Sequence, residues 1–418
     1  AGLHVSHRLN ADWSVTGGYA YSLNNYADQQ ARVVGYNPTT GQVTRRADAT
    51  QDSTMFSHAL RADLSGRVDI MGMRHDLMFG TAYDYSSTRR SELVRGTNNT
   101  QFNIFNPVYG RLAAPGYIGN AADSDQTERL ITESVYVQDS VHLTDRLIAV
   151  AGLRYQHFDQ VAGKGRPFNL NTDVNAGRLI PRFSLVYLLT PDISLYGSYL
   201  QSFKPNSSIA NAYGSQPPET GESWEIGAKF DLFDGLTATV AAYNIVKQNV
   251  LYRYELAGVT FNDTAGEVRS RGIDIDLAGR ITPQLSVIGS YGLVDAKVTE
   301  DPDTQGKRLL NVARHTASLF FAYDFGEVLG SDGFRAGFGG RYQSRRPGDV
   351  DNSFYMPGYA VFDAFAAYDT HIDRTPLRLQ VNVKNIFDKT YYTSSIGTNY
   401  GVAVGEPMQV IASATVRF

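Results

Sequence analysis

The chain has 418 residues, a formal net charge of −4, no cysteine, and 12% aromatics made up of 26 Tyr, 21 Phe and two Trp. So small a charge, with no long basic run, gives no sign of a nucleic-acid partner, and the missing thiols exclude disulfide frameworks, Cys-zinc sites and thiol catalysis. No apolar run reaches the ~20 residues of a spanning helix, whereas a mean hydropathy of −0.27 leaves a membrane barrel open, because half of each strand then faces a polar lumen.

Length alone suggests two or three soluble domains, yet no linker, composition shift or charge block divides the chain. Read in order, Ala1-Gly2-Leu3-His4 opens directly into a strand pattern with no signal peptide, so processing or truncation is expected to have removed an earlier start. The first strand is Leu3–Leu9, followed by an Asn10-Ala11-Asp12 turn and Trp13–Tyr26. A polar segment to about Ser53 reads as a loop. Strands follow at Thr54–Val68 and His75–Ser87, then a very long loop to Asp125.

Pairs of strands come next. They are Thr132–Leu143 with Leu147–Phe158, Leu179–Leu189 with Ile193–Lys204, Glu222–Leu232 with Leu236–Leu251, and Glu267–Arg280 with Leu285–Val298. Arg314–Phe325, Phe334–Arg345, Tyr359–Asp369, Leu377–Phe387 and Glu406–Phe418 complete the set. In the last hairpin Leu377, Leu379, Val381 and Val383 alternate with Arg378, Gln380, Asn382 and Lys384, the period of a strand with one apolar and one polar face.

Most of these strands are long enough for a tilted crossing of a hydrocarbon core of ~30 Å. Their connections alternate between tight Asp/Asn/Gly/Pro turns and long polar loops. A soluble sandwich has no reason to sort its loops in this way, whereas an outer-membrane barrel keeps short turns on the periplasmic side and long loops outside. The reading is therefore all-β, a transmembrane barrel portion of about 17 strands. Since single-chain bacterial barrels carry an even number, further N-terminal strands are expected.

Several words in the chain resemble the TonB-dependent ferric-siderophore receptors, in particular their ferrichrome-receptor-like branch. They are Ser134-Val135-Tyr136-Val137-Gln138-Asp139-Ser140 running on to Gly152-Leu153-Arg154-Tyr155, Phe105-Asn106-Pro107-Val108-Tyr109-Gly110, Glu222-Ser223-Trp224-Glu225-Ile226-Gly227, Gly266-Glu267-Val268-Arg269-Ser270-Arg271-Gly272, and Asn382-Val383-Lys384-Asn385-Ile386-Phe387-Asp388. The resemblance implies that residues 1–418 are the C-terminal portion of a 22-stranded barrel whose plug and first strands precede Ala1. It also implies an outer-membrane location, uptake of a ferric siderophore of hydroxamate type energised by TonB through that plug, and no enzymatic activity. The final loop, Ser394 to Gly405, lacks the cysteines of some relatives.

A receptor of this kind holds a chelate whose own oxygens saturate the iron, so it needs ring faces and donors rather than metal ligands or a cofactor. Candidate contacts are Phe102, Phe105, Tyr109 and Tyr117 in the long loop, with Tyr213, Tyr252, Tyr391, Tyr392 and Tyr400 at other outer strand ends. The plainer alternative is loop packing or an interfacial belt. Arg269 and Arg271 share the outward parity of Ile273 and Ile275 and could meet lipopolysaccharide phosphates, or could simply be rim charges. The eight histidines are scattered and give no metal pair. The expected partners are the siderophore, outer-membrane lipid and TonB, with the protein a monomer. The alternatives are a passive porin, or a receptor of the same family for cobalamin, haem or a glycan.

Overall fold

The computed structural model describes residues 1–115, 124–206, 216–233, 235–256, 259–328 and 330–416, and within these the side chains of 92, 100, 252–256 and 259–265 are left aside. The described residues are strands and turns without a helix, so no helix is long and apolar enough to cross a membrane. Among the described residues eighteen strands belong to one sheet. Two compact units emerge, the first of Ala1–Leu185, Tyr199–Glu222 and Lys247–Glu267, the second of Val186–Ser198, Ser223–Val246 and Val268–Phe418.

The first unit carries β1 (Gly2–Arg8), β2 (Trp13–Asn37), β3 (Gln42–Ile70), β4 (Met73–Arg95), β5 (Asn99–Asn103), β6 (Gln126–His142) and β7 (Leu147–Lys164). Each strand is antiparallel to the next along β1–β2–β3–β4–β6–β7, with β5 added on the outer half of β3. Strands β8 (Asn169–Thr190), β9 (Ile193–Lys204), β10 (Glu219–Phe233), β11 (Leu236–Leu256) and β12 (Val259–Arg280) divide between the units.

The second unit continues with β13 (Leu285–Glu300), β14 (His315–Gly326), β15 (Gly333–Gln343), β16 (Arg346–Pro347), β17 (Tyr355–Met356), β18 (Tyr359–Ile372), β19 (Thr375–Lys384), β20 (Tyr392–Ser395), β21 (Val402–Val404) and β22 (Gln409–Val416). Its antiparallel ladder runs β13–β14–β15–β18–β19–β22, while β16/β17 and β20/β21 form small hairpins in the connections.

The tight turns share one device. Asn10 Oδ1 accepts the N–H groups of Asp12 and Trp13 at 2.9 Å each, and the hydroxyls of Thr144 and Thr282 accept those of Leu147 and Leu285 at 3.0 Å. These side-chain oxygens imitate a turn carbonyl, so the chain reverses without leaving N–H groups unmatched.

Alternation then sorts the faces. One face presents Leu3, Val5, Leu60, Phe79, Val135 and Val137, all exposed with no second layer over them, which suits hydrocarbon. It ends outward in an aromatic belt: Tyr19 hydroxyl meets His58 Nδ1 at 2.7 Å in the first unit, and Tyr291 meets His315 Nδ1 at 2.9 Å in the second.

The opposite face is polar. Arg61 pairs with Asp63 at 2.7 Å, and Tyr136 donates to the same carboxylate while its ring lies on Gly80, where a Cβ would come within 2.3 Å of ring carbons. In the second unit Tyr196 donates to Glu225 at 2.7 Å, and Arg378 Nη2 holds Asp369 at 3.0 Å. Tyr155 over Gly177 and Tyr196 over Gly227 repeat the arrangement of a ring laid on a glycine.

Two expectations need correction. The polar segment before Ser53 is not a loop, because β2 and β3 stay paired through Asn37↔Gln42, with register shifts at Tyr26/Asp28 and Val33/Gly35. The loop after Ser87 likewise begins as strand, with β4 reaching Arg95. Above the belt both faces of a strand meet water, so residues 27–53 need no apolar alternation to remain paired.

Candidate ligand site at the outer connections

In the first unit the outer hairpin turns at Asn37, whose Oδ1 accepts the N–H groups of Thr39 and Thr40 at 3.0 and 3.1 Å, and closes at Gly41 with a φ of 71°. Strand β5 returns along it. Asn103 Nδ2 donates to Thr40 O at 2.8 Å, Ile104 N donates to Gly41 O at 2.9 Å, and the ring of Phe105 covers Gly41 so closely that a Cβ would sit 2.4 Å from Cδ2.

This seam fixes an aromatic cluster. The guanidinium of Arg45 lies 4.0 Å from the Phe102 ring centre, and Tyr109 meets Phe102 edge-on at 5.6 Å. Phe105 and Tyr109 remain 69% and 75% exposed, so their ring faces are free to contact a ligand. Val43, Ala47, Leu93 and Val94 of β3 and β4 are buried. Asp48 is buried as well, held by Arg46 at 2.7 Å and Arg32 at 3.1 Å.

In the second unit three outer connections, 301–314, 344–358 and 385–408, are joined by side-chain amides. Asn311 Nδ2 donates to Ser395 O at 2.9 Å and its Oδ1 accepts Ser395 N at 2.8 Å. Asn352 makes the same two-bond exchange with the backbone of Arg308, at 2.9 Å each way. Asn385, with a φ of 46°, ends β19. Its amide donates to Lys389 O and Glu406 O and accepts Lys389 N, all within 3.0 Å, while its own N–H reaches Asp363. The Asn385-Ile386-Phe387-Asp388 word is therefore a bend-forming element, which is why the strand stops at Lys384 rather than Phe387.

Below these connections Tyr391 is buried at 4% exposure. Its hydroxyl accepts Arg341 Nη2 at 3.1 Å, and its ring lies 4.7 Å from that of Tyr359. Arg341 also pairs with Asp363 at 3.3 Å. Arg346 is fully buried, donates from Nη2 to the Tyr392 carbonyl, and lies 5.6 Å from the Tyr359 ring.

The structure thus brings Phe102, Phe105 and Tyr109 together. Tyr391 and Tyr392 lie beside the arginines, Tyr391 as a packed ring and Tyr392 through its carbonyl. Tyr400 sits 39% exposed on the turn closed by Ile396 and Gly401. Tyr117, Tyr213 and the side chain of Tyr252 lie outside the described residues. Arg269 Nε donates to Asn244 Oδ1 at 2.6 Å, and Arg271 pairs with Asp295 at 3.6 Å, with Lys297 on the same carboxylate at 3.3 Å. Arg45, Arg341 and Arg346 escaped sequence reasoning. Only the clustering of Arg with aromatics at strand ends hinted at them. Among the described residues no group of three or more His, Cys, Asp or Glu side chains gathers to hold a metal.

The family model described as TonB dependent receptor-like, beta-barrel matches residues 1–386. The metal-pseudopaline receptor CntO of Pseudomonas aeruginosa (strain UCBPP-PA14) is 31% identical over 429 residues, covering 99% of this chain and 58% of its own. The ferrichrome outer membrane transporter/phage receptor of Escherichia coli (strain K12) is 32% identical over 365 residues, covering 84% and 45%. Among solved structures, the ferric preacinetobactin receptor BauA from Acinetobacter baumannii superposes with a TM-score of 0.83 at 19% identity, covering 99% of this chain and 61% of that one, a likeness of fold. The chain therefore spans between two fifths and two thirds of the length of such relatives. With the family model matching nearly its whole length, the chain belongs to the β-barrel family of TonB-dependent outer-membrane receptors.

Proposed function

We propose that these residues form the membrane wall and outer gathering surface of a receptor importing a ferric siderophore of hydroxamate type. Uptake is energised by TonB acting through an N-terminal plug and further strands outside this sequence. The observation that carries the reading is the Arg45–Phe102–Tyr109 cluster with exposed Phe105 beside it. Ring faces and guanidinium donors suit a chelate whose iron is already saturated, and catalysis has no part in that task. Similarity to a ferrichrome transporter supports the ligand class. Arg269, Arg271 and Lys297 supply cations where lipopolysaccharide phosphates would lie, and the receptor works as a monomer.

The test is a titration of the receptor purified from outer membranes with ferrichrome, followed by quenching of tyrosine fluorescence. Saturable binding is expected, and F102A with Y109A should weaken it about tenfold, as the loss of two stacked aromatic contacts implies. An open conducting pore with no binding of ferric hydroxamates would put a passive porin in its place.

A further inference from the structure

The guanidinium of Arg346 is the least matched buried cation of the outer connections. Its side chain is 0% exposed, and although Nη2 reaches the Tyr392 carbonyl, neither Nε nor Nη1 has an acceptor among the described residues. A second arginine in the same joined group, Arg308, has its backbone fixed by Asn352 while its Nη2 is buried without an acceptor.

Three acids of this region are already engaged, and no described acid forms an ion pair with Arg346. Asp363 takes Arg341 and the Asn385 N–H, Asp349 takes Ser353, and Glu406 faces Lys384. Among the described residues neither Arg308 nor Arg346 forms an ion pair. A desolvated guanidinium without an anion is costly, and desolvation by burial pulls the Arg346 pKa below its usual value. The Tyr359 ring offers a π face and no lone pair for those N–H groups.

We propose that Arg346, assisted by Arg308, receives a peripheral carboxylate of the bound ferric chelate, so that the receptor favours hydroxamate chelates carrying one. A carboxylate is acceptor-only and supplies the missing lone pairs together with the opposite charge. The 385–408 connection meets Arg346 at the Tyr392 carbonyl and is tied to its neighbour by the two-bond Asn311–Ser395 pair. The inference rests on the siderophore reading above and adds the charge of the ligand.

A matched pair of ligands tests it: N-acetyl ferrioxamine B, which is neutral, and N-succinyl ferrioxamine B, which ends in a carboxylate. The purified receptor should bind the succinyl chelate more tightly. Arg346→Gln should weaken that binding at least tenfold while changing the acetyl chelate less than twofold, and Arg346→Lys should retain part of the preference. Equal losses for both chelates, no loss for either, or a wild-type receptor without preference would overturn the carboxylate site and leave the siderophore reading standing. Wild-type protein that binds neither chelate nor any other ferric hydroxamate would overturn both. Should Arg346→Gln fail to fold by heat-modifiable gel migration, Arg308→Gln takes its place in the same titration. A smaller but still selective loss is then expected, and an unselective change or none would overturn the site.

Discussion

The two units make their long outer connections firm in different ways. In the first, the ladder simply continues: β2 and β3 stay paired to the hairpin tip, and β4 and β5 follow part of the way. In the second, strand β19 stops near the level of Asp363 and β15 four residues beyond it, and irregular segments are tied by Asn311, Asn352 and Asn385. The first solution matches backbone with backbone and tolerates nearly any polar side chain. The second matches backbone with a few amide side chains, so it concentrates stability in single residues.

That contrast sets the order of the mutational effects. Asn385→Ala should be the most damaging, since it removes three amide bonds, exposes the loss in a buried site, and asks a β-carbon residue without a local side-chain bond to hold a φ of 46°. A loss of about 3 kcal/mol is expected, read as a lower midpoint in heat-modifiable migration. Ala49→Pro in β3, a residue paired on one side with Gln29 and on the other with Val94, should cost about 3 kcal/mol or slightly less. Its effect should be confined to the hairpin, which becomes sensitive to protease while the spanning strands keep their melting midpoint. If the whole sheet melted earlier, the arm would be shown to share the cooperativity of the wall.

Asn311→Ala should cost about 1–2 kcal/mol and raise hydrogen exchange at residues 394–401, with the first unit unaffected. The smallest effect belongs to His371, beside the Asp373 turn, whose hydrogen bond to Asp332 at 2.9 Å raises its pKa above 6.5. A raised folded-state value means that the pair's contribution is present below pH 6.5 and fades as pH rises through the shifted value. Asp332→Asn should remove that slope, and an unchanged pH dependence would exclude the pair as its source.

The spanning strands were legible because each must show hydrocarbon one face and a polar interior the other, a constraint that writes itself into positions such as Leu377, Leu379 and Val381. Sorted turns gave the direction of every strand. Above the belt that constraint ends, and the text goes quiet: Arg32 opposite Arg46 and Gln29 opposite Ala49 are strand partners that look like loop. At the site, Phe102, Phe105 and Tyr109 could be singled out as aromatics in a long loop, but nothing in a string of letters separates a buried Arg346 from its neighbour Arg345, because burial there is decided by three connections far apart in sequence. Tyr391 shows the reverse, a ring attractive as a contact that the fold uses to orient Arg341.

The hairpin arm has one more consequence. Fourteen residues separate Phe56 at the belt from Gln42, which at strand rise and tilt carries the tip about 30 Å clear of the lipid. A body diffusing in from the medium therefore collides with Phe105 and Tyr109 long before it touches the cell surface. The arm is a paired ribbon and not a tether, since the β2–β3 ladder runs to Asn37↔Gln42. A large particle that approaches the first unit meets this hairpin before it meets the lipid.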